Sequence, residues 1–148
     1  MLCNNLISVF EKDLDKLKQE ISLYTNETDL WALQEGIANT GGNLCLHLCG
    51  NLQHYIGAVL GNTGYNRNRD LEFSAKGINK AALIDEIQKT KRSVLATLKT
   101  INPDSLIKDY PAPVFDYTMS TMHFFIHLQS HFNYHLGQIN YHRRLLDK

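Results

Sequence analysis

HFFIHLQSHFNYHLGQINY, residues 123–141, is the stretch on which the reading of this chain turns. It lies in the longest and most aromatic of the helices the sequence predicts, from about Asp116 to Leu146. Four of its histidines, His123, His127, His131 and His135, stand at four-residue intervals. A four-residue step advances about 400° around a helix, so neighbours in this series differ by about 40° and its ends by about 120°. Only adjacent pairs can therefore share a metal ion, and two imidazoles at i and i+4 do converge on one. Spacing alone leaves the pairs 123/127, 127/131 and 131/135 open.

A pair of imidazoles needs a third ligand from elsewhere, and the helix predicted over about 43–60 offers His47 and His54. They share a face but lie about 10.5 Å apart along the axis, so one of them and not both can reach a given ion. Spacing leaves this choice open as well.

Outward from these two helices, Leu6, Phe10, Leu14, Leu17 and Ile21 recur at three- and four-residue steps, with Glu11, Lys12, Asp15 and Lys18 on the other face. This predicts a helix over roughly 2–24. A polar connection and a short apolar piece around Leu30, Trp31 and Leu33 follow. Thr40-Gly41-Gly42-Asn43 then breaks the chain and supplies a cap. Residues 65–76 are polar and aperiodic and are expected to form a loop or crossover. Asn79 is a suitable N-cap for a third long helix, whose stripe Leu83, Ile84, Ile87, Val94, Leu95 and Leu98 runs to about residue 100, where Asn102-Pro103 stops it. Short strand-like pieces fit near 107–115, but no sheet is predicted. The expectation is an all-α chain, a four-helix bundle forming one domain over residues 1–148, with a cofactor site built from side chains facing inward.

Composition narrows the function classes. Lys plus Arg and Asp plus Glu are both 15 in 148 residues, a formal net charge of +0, so the chain lacks the basic excess of a nucleic-acid binder. The first residues, MLCNNLISVFEKDLDKL, interleave acids with apolar residues, and no window approaches the roughly 18–20 apolar residues of a membrane span. No signal peptide and no membrane partner are expected, and the location expected is cytoplasmic. Cys3, Cys45 and Cys49 are an odd set with two members on one predicted helix, which favours reduced thiols over a disulfide framework.

The segment His131-Phe-Asn-Tyr-His135-Leu-Gly137-Gln138 resembles the last-helix signature of the DinB/YfiT superfamily of metal-binding bundles. The segment Asn43-Leu-Cys-Leu-His47-Leu-Cys-Gly-Asn-Leu-Gln-His54-Tyr55 resembles its second helix, with the family's first ligand falling on His47. The likeness runs over essentially the whole chain and extends to Arg67-Asn-Arg69-Asp70-Leu-Glu72-Phe73, which is similar to an uncharacterised branch. Leu136 departs from the wider family, where arginine is commoner. The resemblance implies an up-down-down-up bundle, usually a homodimer, with His47, His131 and His135 on one divalent transition metal, nickel or zinc. Some relatives are thiol-dependent transferases and others hydrolases, so a low-molecular-weight thiol is an implied cofactor.

Three neutral imidazoles leave an ion its full positive charge and at least one position for a further ligand, as in catalytic rather than structural zinc sites. The expected function is a metal-dependent transferase or hydrolase acting on a small molecule; the alternative is a non-catalytic metal-binding or stress-response module. The remaining histidines, His54, His123, His127 and His142, read as hydrogen-bonded or exposed, with His54 and His127 the candidates to line the cavity. Cys45 and Cys49 read as small buried hydrophobes. Phe124, Phe125, Phe132, Tyr134 and Tyr141 read as core, the two tyrosines also as wall residues. Gly50 leaves room beside His47 or for a neighbouring helix. Arg67, Arg69, Asp70 and Glu72 read as a salt-bridged, solvated loop, and no carboxylate base is assigned.

Overall fold

The computed structural model describes residues 2–147; Met1 and Lys148, the ends of the expected domain, lie outside them. Five α-helices are present among the described residues: α1 (Leu2–Ser22), α2 (Gly41–Leu52), α3 (Arg69–Ser74), α4 (Lys80–Thr100) and α5 (Thr121–Leu146). No strand accompanies them, and the chain is all-α as expected. The strand-like pieces near 107–115 reduce to one isolated antiparallel bridge, Asp109 with Ser120.

The apolar stripes account for the packing. On α1, Phe10, Leu14, Leu17 and Ile21 are all buried, as are Leu83, Ile87, Val94 and Leu98 on α4. These two helices pack along each other, and α2 packs against both α4 and α5. Each such Leu, Ile or Phe, taken fully out of water, contributes roughly 1.5–3 kcal/mol. The three phenylalanines Phe124, Phe125 and Phe132 complete the core from α5, but Tyr134 and Tyr141 do not: they are 66% and 65% exposed.

Thr40 caps α2, its Oγ1 accepting from the Asn43 backbone N–H at 3.1 Å. Gly41 and Gly42 open the helix because side chains there would overlap the Tyr24 hydroxyl and the Trp31 ring. Beyond Leu52 the chain does not continue as α-helix to residue 60. It widens into a π-helical turn over Gln53–Ala58, in which the Val59 N–H reaches back five residues to the His54 carbonyl at 3.0 Å.

Two other boundaries differ from expectation. The stretch 65–76 contains α3, capped by the Asn68 side chain on the Leu71 N–H. The last helix begins at Thr121 rather than near Asp116. The cause is backbone pairing across the preceding loop, where the Tyr110 N–H donates to the Met119 carbonyl at 2.9 Å and the Thr121 N–H to the Lys108 carbonyl at 2.8 Å. This holds residues 119–120 extended, and the Ser120 hydroxyl then caps α5 by accepting from the His123 N–H at 3.2 Å.

Candidate metal centre

His47 comes from the middle of α2, and His131 and His135 from adjacent turns of α5. The packing of α2 on α5 brings one ring nitrogen of each to within 4.8 Å of the others. His47 Nε2 lies 3.1 Å from His131 Nε2. The His47 and His135 rings stand edge to face with centroids 5.2 Å apart, and those of His131 and His135 are 4.6 Å apart. Of the pairs that spacing leaves open, 131/135 is the one that meets a histidine of α2, and that histidine is His47.

The outer nitrogens of two of these rings have oxygen partners. His135 Nδ1 lies 2.7 Å from Gln138 Oε1, one turn further along α5. His47 Nδ1 lies 2.9 Å from Glu72 Oε1. A carboxylate only accepts, so the His47 Nδ1–H donates and its Nε2 is left with a lone pair. His131 Nε2–H then donates to that lone pair, and His131 Nδ1 is buried without a hydrogen-bond partner.

Glu72 is not part of a solvated loop. It is buried, and Arg67 grips it through two hydrogen bonds, Nε to Oε2 and Nη2 to Oε1, both 2.8 Å. Asn43, one turn before His47, donates its side-chain amide to the carbonyls of Glu72 (3.0 Å) and Ala75 (2.8 Å), which fastens α3 to α2. Burial alone would raise the Glu72 carboxyl, but the bonds from Arg67 and His47 more than offset it and hold the group below the usual range. Gly50, one turn beyond His47, provides the space: a Cβ there would overlap the Glu72 carboxylate.

Burial, reinforced by the neighbouring His135 and His47, pushes His131 down to about 4. His135 is also lowered, by burial first, with its bond to Gln138 acting the other way. Both are therefore neutral at pH 7, the form in which an imidazole binds a metal.

The other histidines lie apart from this cluster. His142 is buried, accepting from the Tyr24 hydroxyl at 2.7 Å through Nδ1 and donating to the Ala32 carbonyl at 2.9 Å through Nε2. His123 is exposed. His127 stacks on Phe124 and meets Phe115 edge-on at 5.1 Å, its ring 6.4 Å from that of His131. His54 packs on Tyr55. Cys45 and Cys49 are buried in the core, where the bond to Cys49 and burial push the Cys45 thiol up. Leu136, at the place of the wider family's arginine, is buried too.

These residues fit a transition-metal ion. The donor set is all nitrogen, and the outer nitrogens of His47 and His135 are held by oxygen acceptors, which is how ligating imidazoles are oriented. The unpartnered His131 Nδ1 belongs to a ring that the apo network does not fully satisfy. Among the described residues no fourth His, Cys, Asp or Glu joins the group.

Fold and site together define an all-helical protein with a three-histidine cluster that could hold a metal ion. The chain belongs to DUF1572, a family described as proteins of unknown function, whose model matches residues 3–148. No curated protein matches the chain. No helix among the described residues is long and apolar enough to cross a membrane.

Proposed function

We propose that this chain is a metal-binding four-helix bundle of the DinB/YfiT kind, one domain in up-down-down-up order and working as a cytoplasmic homodimer. It holds one divalent transition ion, nickel or zinc, on His47, His131 and His135, and uses it as a thiol-dependent transferase or a hydrolase. The observation that carries the reading is a group of three imidazole nitrogens within 4.8 Å of one another, supplied by two packed helices. Three protein ligands, rather than four, is the donor count of catalytic zinc sites. When bound, such an ion supplies a Lewis acid that brings the pKa of water toward about 7 or holds a thiol as its thiolate.

The chain's own part is positioning. Glu72 and Gln138 hold two of the rings by their outer nitrogens, and burial keeps His131 and His135 neutral without added base. Both α5 histidines are only half buried, so a small molecule can approach from their side.

Elemental analysis of the untagged protein tests this. About one ion per chain is expected, lost in His47→Ala, His131→Ala and His135→Ala and kept in His54→Ala and His123→Ala. Protein that stays metal-free after incubation with nickel and zinc overturns the reading. An ion that binds at this stoichiometry while thiol transfer and hydrolysis screens stay blank favours the non-catalytic module.

A further inference from the structure

We infer that Glu72, clamped by Arg67, is the positioning residue that sets the tautomer of His47 and so keeps its Nε2 available to an ion; the inference rests on the metal reading above. A neutral imidazole has one proton for two nitrogens, and the partner of one nitrogen decides the state of the other. His47 is the centre's one residue from α2, so an error in its tautomer removes a third of the donor set. Its Nδ1 faces Glu72 Oε1 at 2.9 Å and its Nε2 faces the other histidines.

Features from four places in the chain fix this residue and the imidazole it meets. Arg67 forks onto both of its oxygens. Asn43 holds its backbone carbonyl at 3.0 Å. Gly50 vacates the volume that it fills, and Phe73, the next residue, lays its ring 4.7 Å from that of His47. A carboxylate that merely balanced charge at the surface would need none of this. The clamp also has an electrostatic consequence. Arg67 cancels the charge of Glu72, and the partner of His135 is the neutral Gln138, so both rings are oriented without negative charge being added to the centre. The ion's own charge stays available to polarise what it binds.

Glu72→Leu removes the acceptor while keeping side-chain bulk in the place that Gly50 leaves open. Arg67 Nη2 lies 3.4 Å from His47 Nδ1 and presents only donors, so with the carboxylate gone it becomes the polar partner of that nitrogen. Nδ1 must then accept, the proton moves to Nε2, and the nitrogen an ion needs is blocked. Adding Arg67→Met removes that donor, so neither tautomer is imposed and the double variant is a partial rescue.

The experiment compares wild type, Glu72→Leu and Arg67→Met/Glu72→Leu. Zinc affinity is read by competition with a chromophoric chelator. The His47 tautomer is read in chelator-treated protein from long-range proton–nitrogen spectra of labelled histidine, and melting curves report folding. Glu72→Leu is expected to bind zinc about 10- to 100-fold more weakly, with the His47 nitrogen pattern reversed. The double variant is expected to regain part of the wild-type pattern and part of the affinity. A folded Glu72→Leu protein with wild-type affinity and tautomer overturns the inference, as does a double variant no better than the single one. If the wild type takes up no zinc, the metal reading falls, and the nitrogen spectra alone then decide whether Glu72 sets the tautomer.

Discussion

Replacing Gly50 by alanine should destabilise the protein, although glycine to alanine inside a helix ordinarily stabilises by about 1 kcal/mol. The new Cβ would overlap Glu72 Oε2 and stand 2.7 Å from its Cδ and 3.3 Å from its Cγ. The crowding reaches back to Cγ, so rotating the carboxylate alone does not relieve it, and the side chain has to leave its place. Its departure breaks the fork with Arg67 and the bond to His47, both in buried surroundings. Breaking a buried ion pair costs about 3–5 kcal/mol. Offset by the helix-propensity gain of about 1 kcal/mol, the net loss is about 2–4 kcal/mol. At about 2–4 °C per kcal/mol for a chain of this size, the melting temperature should fall by roughly 5–15 °C. Gly137, exposed on α5 with nothing within 4 Å of an added Cβ, is the control, and Gly137→Ala should be neutral to stabilising by up to about 1 kcal/mol. Thermal denaturation of both variants by circular dichroism makes the comparison. A Gly50→Ala protein that melts at or above the wild-type temperature would refute the placement of Glu72 and everything built on it.

Two further predictions concern the titration and packing of other histidines. In chelator-treated protein, His131 has a folded pKa of about 4, below the ordinary value of about 6.5 in the unfolded chain, so between these the unfolded state binds more protons. Stability should therefore be full above about pH 6.5 and decline as pH falls toward 4, by about 1–2 kcal/mol after allowance for solvent screening. The decline should flatten in His131→Gln, and an unchanged slope in urea titrations across this window would contradict it. At the other end of α5, Tyr24→Phe leaves His142 Nδ1 buried without its donor, and the expected loss is about 1–2 kcal/mol by urea denaturation, with the metal content of the protein unchanged.

Local pattern alone carried much of the architecture. The stripes of α1 and α4, the Asn79 cap and the stop at Asn102-Pro103 are periodic or positional signals, and the structure has helices at Leu2–Ser22 and Lys80–Thr100 in agreement with them. The late start of α5 was not legible, because it depends on backbone pairing between residues 108–110 and 119–121, and apolar spacing says nothing about such pairing. The short α3 was missed for a similar reason. Six residues give too little periodicity to stand out, and its place is settled by Asn43 reaching across from α2.

For the candidate centre, the sequence by itself determined that two histidines four apart on one helix share a face and that each helix would bring one or two imidazoles to it. Helical geometry repeats every few residues, so such relations are local. It could not choose among the pairs on α5 or between His47 and His54 without the family resemblance. Nor could it distinguish Arg67 and Glu72 from a solvated pair, since a charged residue has the same local signature whether water or a buried partner receives it. Gly50, a glycine one turn beyond His47, was the one trace of Glu72 in the sequence. Only the tertiary structure brought His47 to His131, 84 residues away, and folded α3 back over α2 so that Glu72 met His47. Those distances follow from how helices pack across the whole core, a property of every side chain in the interface together.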